Sequence, residues 1–231
     1  MNDMYTGLLL TAAMICAVIL GGWLLTRIKG LPEEVSRKFI HIGVSCFYFF
    51  YAPYIYGTEL WGELLLPVVF LACNLFVALT GKPLSVSRAM SGTNKLGTSY
   101  YPLSIIILIL LTRTDIGLDI RDLGAGVLVM GFGDGLAGMI GSLAGGKKIS
   151  RITGSKTWVG SAVMLAVSFV CIVCIYEGEL SFQSADTAIY AALAVFATLV
   201  EAFTPKGLAG SSRGLRNSST ISTTSIPRSR S

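Results

Sequence analysis

The chain has 231 residues, 53% of them hydrophobic and only 13% charged, with a formal net charge of +5. Soluble domains carry about 25% charged residues, so this chain cannot cover a water-facing surface, and a soluble globule is excluded. The positive balance reads first as a topology signal, and no nucleic-acid partner is expected.

Apolar runs, judged against the roughly 20 residues of a full helical crossing, fall at residues 4–26, 39–56, 60–79, 99–111, 123–143, 158–176 and 187–203. A spanning segment must satisfy its own backbone hydrogen bonds, and the alternation of a barrel strand is absent, so helices are predicted. The expected fold is all-α: a polytopic integral membrane bundle of about seven transmembrane helices over residues 1–208. The first run has Asn2 and Asp3 before its apolar core in place of a basic stretch, and it is read as a retained span, not a signal peptide. The fourth run is the shortest and is expected to be tilted, broken or re-entrant. Cys16, Cys46, Cys73, Cys171 and Cys174 all lie within apolar runs. The Cys171-x-x-Cys174 pair has no His or second pair nearby, so it reads as small buried residues and not as a redox or metal site.

Basic residues decide the orientation. Sixteen of the eighteen Lys and Arg fall in segments 27–38, 80–98 and 144–157 and in the tail after 203, whereas the alternate loops hold only Arg113 and Arg121. The positive-inside rule then places the N-terminus outside and the C-terminus in the cytoplasm. The unusual polar stretches all share that cytoplasmic face.

Arg37, Lys38 and His41 fit one helical face at the start of the second run. Cations there anchor a helix to headgroups, and a His beside two of them can equally hold a phosphate or shuttle a proton. His41 is the only histidine, so a His-rich metal site is excluded. Lys95 lies in the basic loop just before "GTSYYP".

In "VMGFGDGLAGMIG", Asp134 sits among Gly131, Gly133, Gly135, Gly138 and Gly141. Small-xxx-small helix packing accounts for the glycines, but an acid at this depth points to function. Glycines beside it would let a backbone, phosphate or metal approach. The carboxylate could ligate Mg²⁺ together with substrate phosphates, or accept a proton from an attacking hydroxyl.

Gly141, Gly146 and Lys147 match the start of a phosphate loop, but Lys148 stands where Ser or Thr is required and no strand precedes it. The stretch is therefore not a Walker motif. Lys147, Lys148, Arg151 and Lys156 still form an electropositive turn suited to a polyphosphate or anionic lipid. Ser155 and Thr157 bring hydroxyls to the start of the sixth run, where exposed helix amides favour an anion. Glu201, one turn from the end of the seventh run, reads either as an interfacial acid facing water or Lys206, or as a second acid of the site.

Taken together, these stretches resemble the CTP-dependent lipid-alcohol kinases: dolichol kinase, phytol kinase and the yeast-type diacylglycerol kinase, with their bacterial relatives. The similarity covers about residues 30–208. It is carried by Arg37-Lys38-x-x-His41, Gly97-Thr98-Ser99-Tyr100-Tyr101-Pro102, Gly133-Asp134-Gly135-x-Ala137-x-x-x-Gly141, Lys156-Thr157-Trp158-x-Gly160-Ser161 and Glu201-x-x-x-Pro205-x-Gly207. Each is weak alone; five in the family's order are fairly specific.

The resemblance implies transfer of a nucleotide γ-phosphate, from CTP or else ATP, to the hydroxyl of a membrane lipid alcohol entering from the bilayer. It implies Asp134, His41 and Lys156 as catalytic residues, with Mg²⁺ held by Asp134 and Glu201. Nucleotide and phosphate contacts would come from Arg37, Lys38, Lys95, Gly133, Gly135, Lys147, Lys148, Arg151, Ser155, Thr157, Gly160 and Ser161. Two other activities compete: cytidylyl transfer to phosphatidate, used by similar enzymes whose longer basic-acidic signature is not found here, and a small transporter using Asp134 and Glu201 as an ion path. The transporter reading lacks an inverted repeat.

Family members usually continue past the Pro-x-Gly-Leu with an Asp-Asn pair and another apolar segment. Here eight Ser and four Arg fill the stretch from Ser211 onward. Residues 209–231 are expected to form a disordered, cytoplasmic tail, reading like a changed frame or truncated end. An enzyme lacking that Asp would be impaired.

Overall fold

The computed structural model describes residues 2–31, 33–80, 99–144, 156–178 and 186–203. Within them the chain forms α1 (Asn2–Leu25), α2 (Glu33–Ser45), α3 (Tyr48–Tyr54), α4 (Leu60–Thr80) and α5 (Tyr100–Thr112). It continues with α6 (Ile120–Leu128), a π-helical turn at Val129–Gly133, α7 (Asp134–Ala144), α8 (Trp158–Glu177) and α9 (Thr187–Phe203). No strand occurs among the described residues.

Among the described residues, four helices are long and apolar enough to cross a membrane: Asp3–Leu25, Leu60–Leu79, Ile120–Ala144 and Trp158–Glu177. The remaining apolar segments are shorter, so seven uniform spans are not what the described residues display. The helix α5 has 13 residues, about 20 Å of rise, in keeping with the short fourth run. The helix α9 has 17 residues. Leu9, Phe76 and Phe196 are among many large apolar side chains on the outer surface, as expected of a protein bathed in lipid.

The second predicted run, 39–56, is not one span. It divides into α2 and α3 at Cys46–Phe47. Ser45 Oγ donates to the His41 carbonyl at 2.8 Å and Cys46 Sγ to the Ile42 carbonyl at 3.6 Å, two successive i−4 back-bonds. Such side-chain bonds compete with the helix ladder and bend it. The amides of Cys46 and Phe47 accordingly turn to the tighter i−3 carbonyls of Gly43 and Val44. The helix α2 also begins earlier than the apolar run, at Glu33, which brings Lys38 and His41 fully onto a helix.

Packing follows from these breaks. Helix α1 lies along α2 and α3, α4 pairs with α5, and α5 meets α6. The unit α6–π turn–α7 runs through the middle, with α2 on one side and α8 on the other, and α9 covers α8. Buried side chains from α1, α2, α3, α5 and α6, including Leu8, Val44, Tyr51, Ile109 and Leu123, form the main core. A smaller cluster joins Ile172 and Val173 of α8 to Tyr190 and Ala194 of α9.

The ends of the central elements are set by local hydrogen bonds. Asp119 caps α6, accepting from the amides of Arg121 and Asp122 at 2.8 and 3.2 Å, while the Asp122 carboxylate accepts from the Asp119 amide at 2.7 Å. This reciprocal arrangement satisfies otherwise orphaned donors. Thr157 caps α8 through its hydroxyl, which accepts from the Gly160 amide at 3.1 Å. Because α6–α7 and α8 run in opposite directions, residues 144 and 156 lie at one end of the bundle and residues 120 and 177 at the other. The first of these ends carries the candidate site.

Candidate functional site

Asp134 begins α7 immediately after the π-helical turn. A π turn inserts an extra residue into the helix and re-aims the side chains beyond it. Here the Asp134 carboxylate meets residues from two other segments, α2 and the start of α8. Lys38 Nζ of α2 donates to its Oδ2, His41 Nε2 lies 3.9 Å from the same oxygen, and Lys156 Nζ lies 3.7 Å from Oδ1. Lys156 also donates to Glu201 Oε1 near the end of α9. Two carboxylates and two ammonium groups thus alternate in one cluster: Lys38, Asp134, Lys156, Glu201.

This cluster lines a cavity of about 230 Å³. Its remaining wall is small: Ala137, Gly138, Gly141 and Ser142 from α7, and Thr157, Gly160 and Ser161 from the start of α8. The absence of bulk on both helices is what leaves the space. Gly160 is so close to the Ala137 carbonyl that a Cβ would stand 3.1 Å from its oxygen, so α7 and α8 touch backbone to backbone just below the cavity. The Ser161 hydroxyl is buried and has no hydrogen-bond partner among the described residues. A buried hydroxyl without a partner is costly unless something else supplies one, and its position on the cavity wall marks a place for a polar ligand.

The glycines around Asp134 divide by neighbour. A Cβ at Gly131, Gly135 or Gly138 would collide with Ser45, Ile42 or Lys38, all from α2. These three glycines form the stripe along which α2 approaches the π turn and α7. A Cβ at Gly133 would meet Met164 and Ser168 of α8 instead. Gly133 and Gly135, expected at the phosphates, are therefore filled by helix packing and do not line the cavity. Their contribution to the site is indirect: they bring the lysines within reach of Asp134.

Of the other expected site residues, the structure gathers Lys38, His41, Asp134, Lys156, Thr157, Gly160, Ser161 and Glu201. Arg37, one position before Lys38 on α2, is half-buried and is not on the cavity wall. Lys95, Lys147, Lys148, Arg151 and Ser155 lie outside the described residues, as does the 209–231 tail. Glu201 faces Lys156, whereas Lys206, its expected alternative partner, is not among the described residues.

The residues that hold His41 are not evident from the sequence. Its Nε2 donates to the Met130 carbonyl at 3.1 Å, within the π turn. Its ring packs edge-on against Tyr101, with centroids 4.7 Å apart and planes at 60°. Tyr101 in turn hydrogen-bonds Ser45 Oγ at 2.6 Å. A signal for Ser45 exists in the sequence, four residues after His41 on the same helical face, but nothing there announces the π turn.

The chain is 29% identical over 203 residues to a protein named phytol kinase from Synechocystis sp., a match that covers 86% of this chain and 83% of that protein. That match relates the chain to the lipid-alcohol kinase family. No protein-family model matches the chain, and no solved structure does.

Proposed function

We propose, proceeding from this kinship with the lipid-alcohol kinases, that the chain is an integral-membrane kinase. It transfers the γ-phosphate of a nucleoside triphosphate, CTP in preference to ATP, to the hydroxyl of a lipid alcohol such as phytol, a polyprenol or diacylglycerol. The observation that carries the reading is the alternation of two carboxylates and two lysines around one small-walled cavity.

The chemistry asks mainly for positioning and charge. The acceptor's oxygen bonds to the γ-phosphorus as the bond from that phosphorus to its bridging oxygen breaks. The acceptor's proton passes to the Asp134 carboxylate, and the nucleoside diphosphate leaves. Lys38 and Lys156 lie where they can neutralise charge spreading over the transferring oxygens, the usual dominant contribution in phosphoryl transfer. The Ser161 hydroxyl and the amides at the start of α8 supply further donors for phosphate. Lys147, Lys148 and Arg151 would extend the same positive field.

Among the described residues no group of three or more His, Cys, Asp or Glu gathers, so no protein-only metal cage is present there. Asp134 and Glu201 nonetheless share Lys156 and one cavity. A pair of carboxylates completed by substrate phosphates is the donor set Mg²⁺ accepts, so the residues fit that ion. Asp134 and Glu201 would be the residues that hold Mg²⁺, and the charge it would supply there would offset that of the nucleotide phosphates. The cytoplasm, where CTP and Mg²⁺ are available, is the side assigned to this face by the distribution of Lys and Arg.

The test is incubation of the purified protein with labelled CTP or ATP and a panel of lipid alcohols, followed by product identification. A phosphorylated lipid with the nucleoside diphosphate is the expected result. A CDP-lipid with pyrophosphate would replace this reading with cytidylyl transfer, and solute flux in proteoliposomes without nucleotide would replace it with transport.

A further inference from the structure

Among the polar contacts near Asp134, one set is not absorbed by phosphate or metal chemistry: Tyr101, Ser45, His41 and the Met130 carbonyl. Their hydrogen bonds have a direction that can be deduced. The His41 carbonyl only accepts, so the single proton of Ser45 Oγ is committed to it, at 2.8 Å. Ser45 must then accept from the Tyr101 hydroxyl at 2.6 Å. Likewise the Met130 carbonyl only accepts, so the His41 Nε2 that faces it at 3.1 Å carries a proton.

Each member is held by something rigid. Tyr101 is 5% exposed and Ser45 is fully buried. A Cβ at Gly131 would collide with Ser45 Oγ, so the glycine after Met130 lets α2 close onto the π turn and sets the Met130 carbonyl against the imidazole. The Tyr101 ring closes the other side edge-on. A partly buried histidine without such contacts would sample two tautomers and several rotamers.

We propose that Tyr101 and Ser45 are positioning residues that fix His41 in one orientation as the Nε2–H tautomer, leaving Nδ1 as its basic nitrogen. The Nε2 edge, 3.9 Å from Asp134, is then committed to Met130 and does not take the acceptor's proton; it presents a fixed N–H dipole beside the carboxylate. The consequence for turnover rests on the kinase reading above; the tautomer does not.

The test uses the fact that His41 is the only histidine in the chain. The full-length protein, labelled with ¹⁵N-histidine, is observed by NMR at about pH 8, where a free imidazole is neutral. The expected spectrum has one protonated Nε2 and one unprotonated Nδ1. In Tyr101→Phe, which keeps the ring and removes the hydroxyl, the two nitrogen signals should move toward the averaged values of mixed tautomers. Turnover should fall roughly 10-fold, about the worth of one buried hydrogen bond, with KM for nucleotide unchanged. The exposed neighbour variant Tyr100→Phe should behave as the parent. A wild-type spectrum with the proton on Nδ1, or an averaged pair, overturns the proposal without any variant having to fold. An unchanged tautomer in Tyr101→Phe overturns it as well. A fixed Nε2–H tautomer in a protein that phosphorylates no lipid alcohol would leave the positioning intact and reject the kinase reading.

Discussion

Lys38 reaches Asp134 across the bare backbone of α7: its Cε lies where the Cβ of any residue other than glycine at position 138 would stand. The pairing thus depends on a glycine of the cavity wall whose lack of a side chain leaves room for the lysine. Gly138→Ala would displace only the far end of a flexible side chain, so the fold should survive. We expect thermal stability close to the parent and turnover reduced about 10-fold or more through a displaced lysine. Gly135→Ala makes the contrast, because there the added methyl meets Ile42 in the α2 interface and the loss should appear in stability first.

Asp134 itself gives the sharpest catalytic prediction. Asp134→Asn keeps the shape and removes the charge, so insertion and folding should persist. Lipid-kinase turnover should drop by about 10² or more, the scale of a positioned acid-base group. Assaying the purified variant at saturating nucleotide checks this; near-parental turnover would leave Asp134 as a packing residue.

Lys156 bridges two acids, 3.7 Å from Asp134 Oδ1 and hydrogen-bonded to Glu201. Lys156→Met would leave both carboxylates facing one cavity with one cation fewer, at a cost of about 1–3 kcal/mol. A divalent cation should compensate in the variant more than in the parent. Melting temperatures in detergent with and without Mg²⁺ report on this directly, and an equal Mg²⁺ response in the two proteins would argue against Asp134 and Glu201 as ligands.

Much of this site is legible from residue types and periodicity. Asp134 stands out because a carboxylate in an apolar run needs partners, and Lys38, His41, Lys156 and Glu201 stand out as polar residues at run ends. Geometry is what cannot be read. The apolar run at 39–56 looks continuous, yet Ser45 and Cys46 break it through back-bonds that any Ser or Cys in a helix can make or omit. The π turn at Val129–Gly133 has no composition of its own. The glycines around Asp134 carry two readings with one pattern, and only the facing helix α2 separates packing from phosphate contact. Glu63 gives only a weak signal in the sequence, although its side chain is fully buried and paired with Arg113. That pairing joins residues 50 positions apart, and no local rule anticipates it.

The Glu63–Arg113 pair offers a control for effects on stability alone. Arg113 donates to Glu63 through Nε at 3.0 Å and Nη2 at 2.5 Å, and the same carboxylate accepts from the Gly57 amide at 2.7 Å. It ties the start of α4 to the end of α5, at the far end of the bundle from Asp134. Glu63→Gln should cost about 1–2 kcal/mol: the carboxylate is buried, but water screens the partly exposed guanidinium that loses its counter-charge. Turnover per folded molecule should be unchanged. A large fall in turnover with normal stability would mean that the two ends of the bundle are coupled.

Orientation is the last prediction, and the shared-face argument depends on it. Lys29 follows α1, Asp115 follows α5, and both are exposed. The uneven distribution of Lys and Arg places residue 29 on the cytoplasmic side with the site and residue 115 on the opposite side. Single cysteines at these positions, in a background lacking the five native ones, should react with a membrane-impermeant thiol reagent from opposite sides of sealed vesicles. Position 115 should label in right-side-out vesicles and position 29 only after inversion or permeabilisation. Labelling of both from one side would remove the basis for a cytoplasmic site. It would also leave the proposed kinase without access to the compartment that supplies its nucleotide.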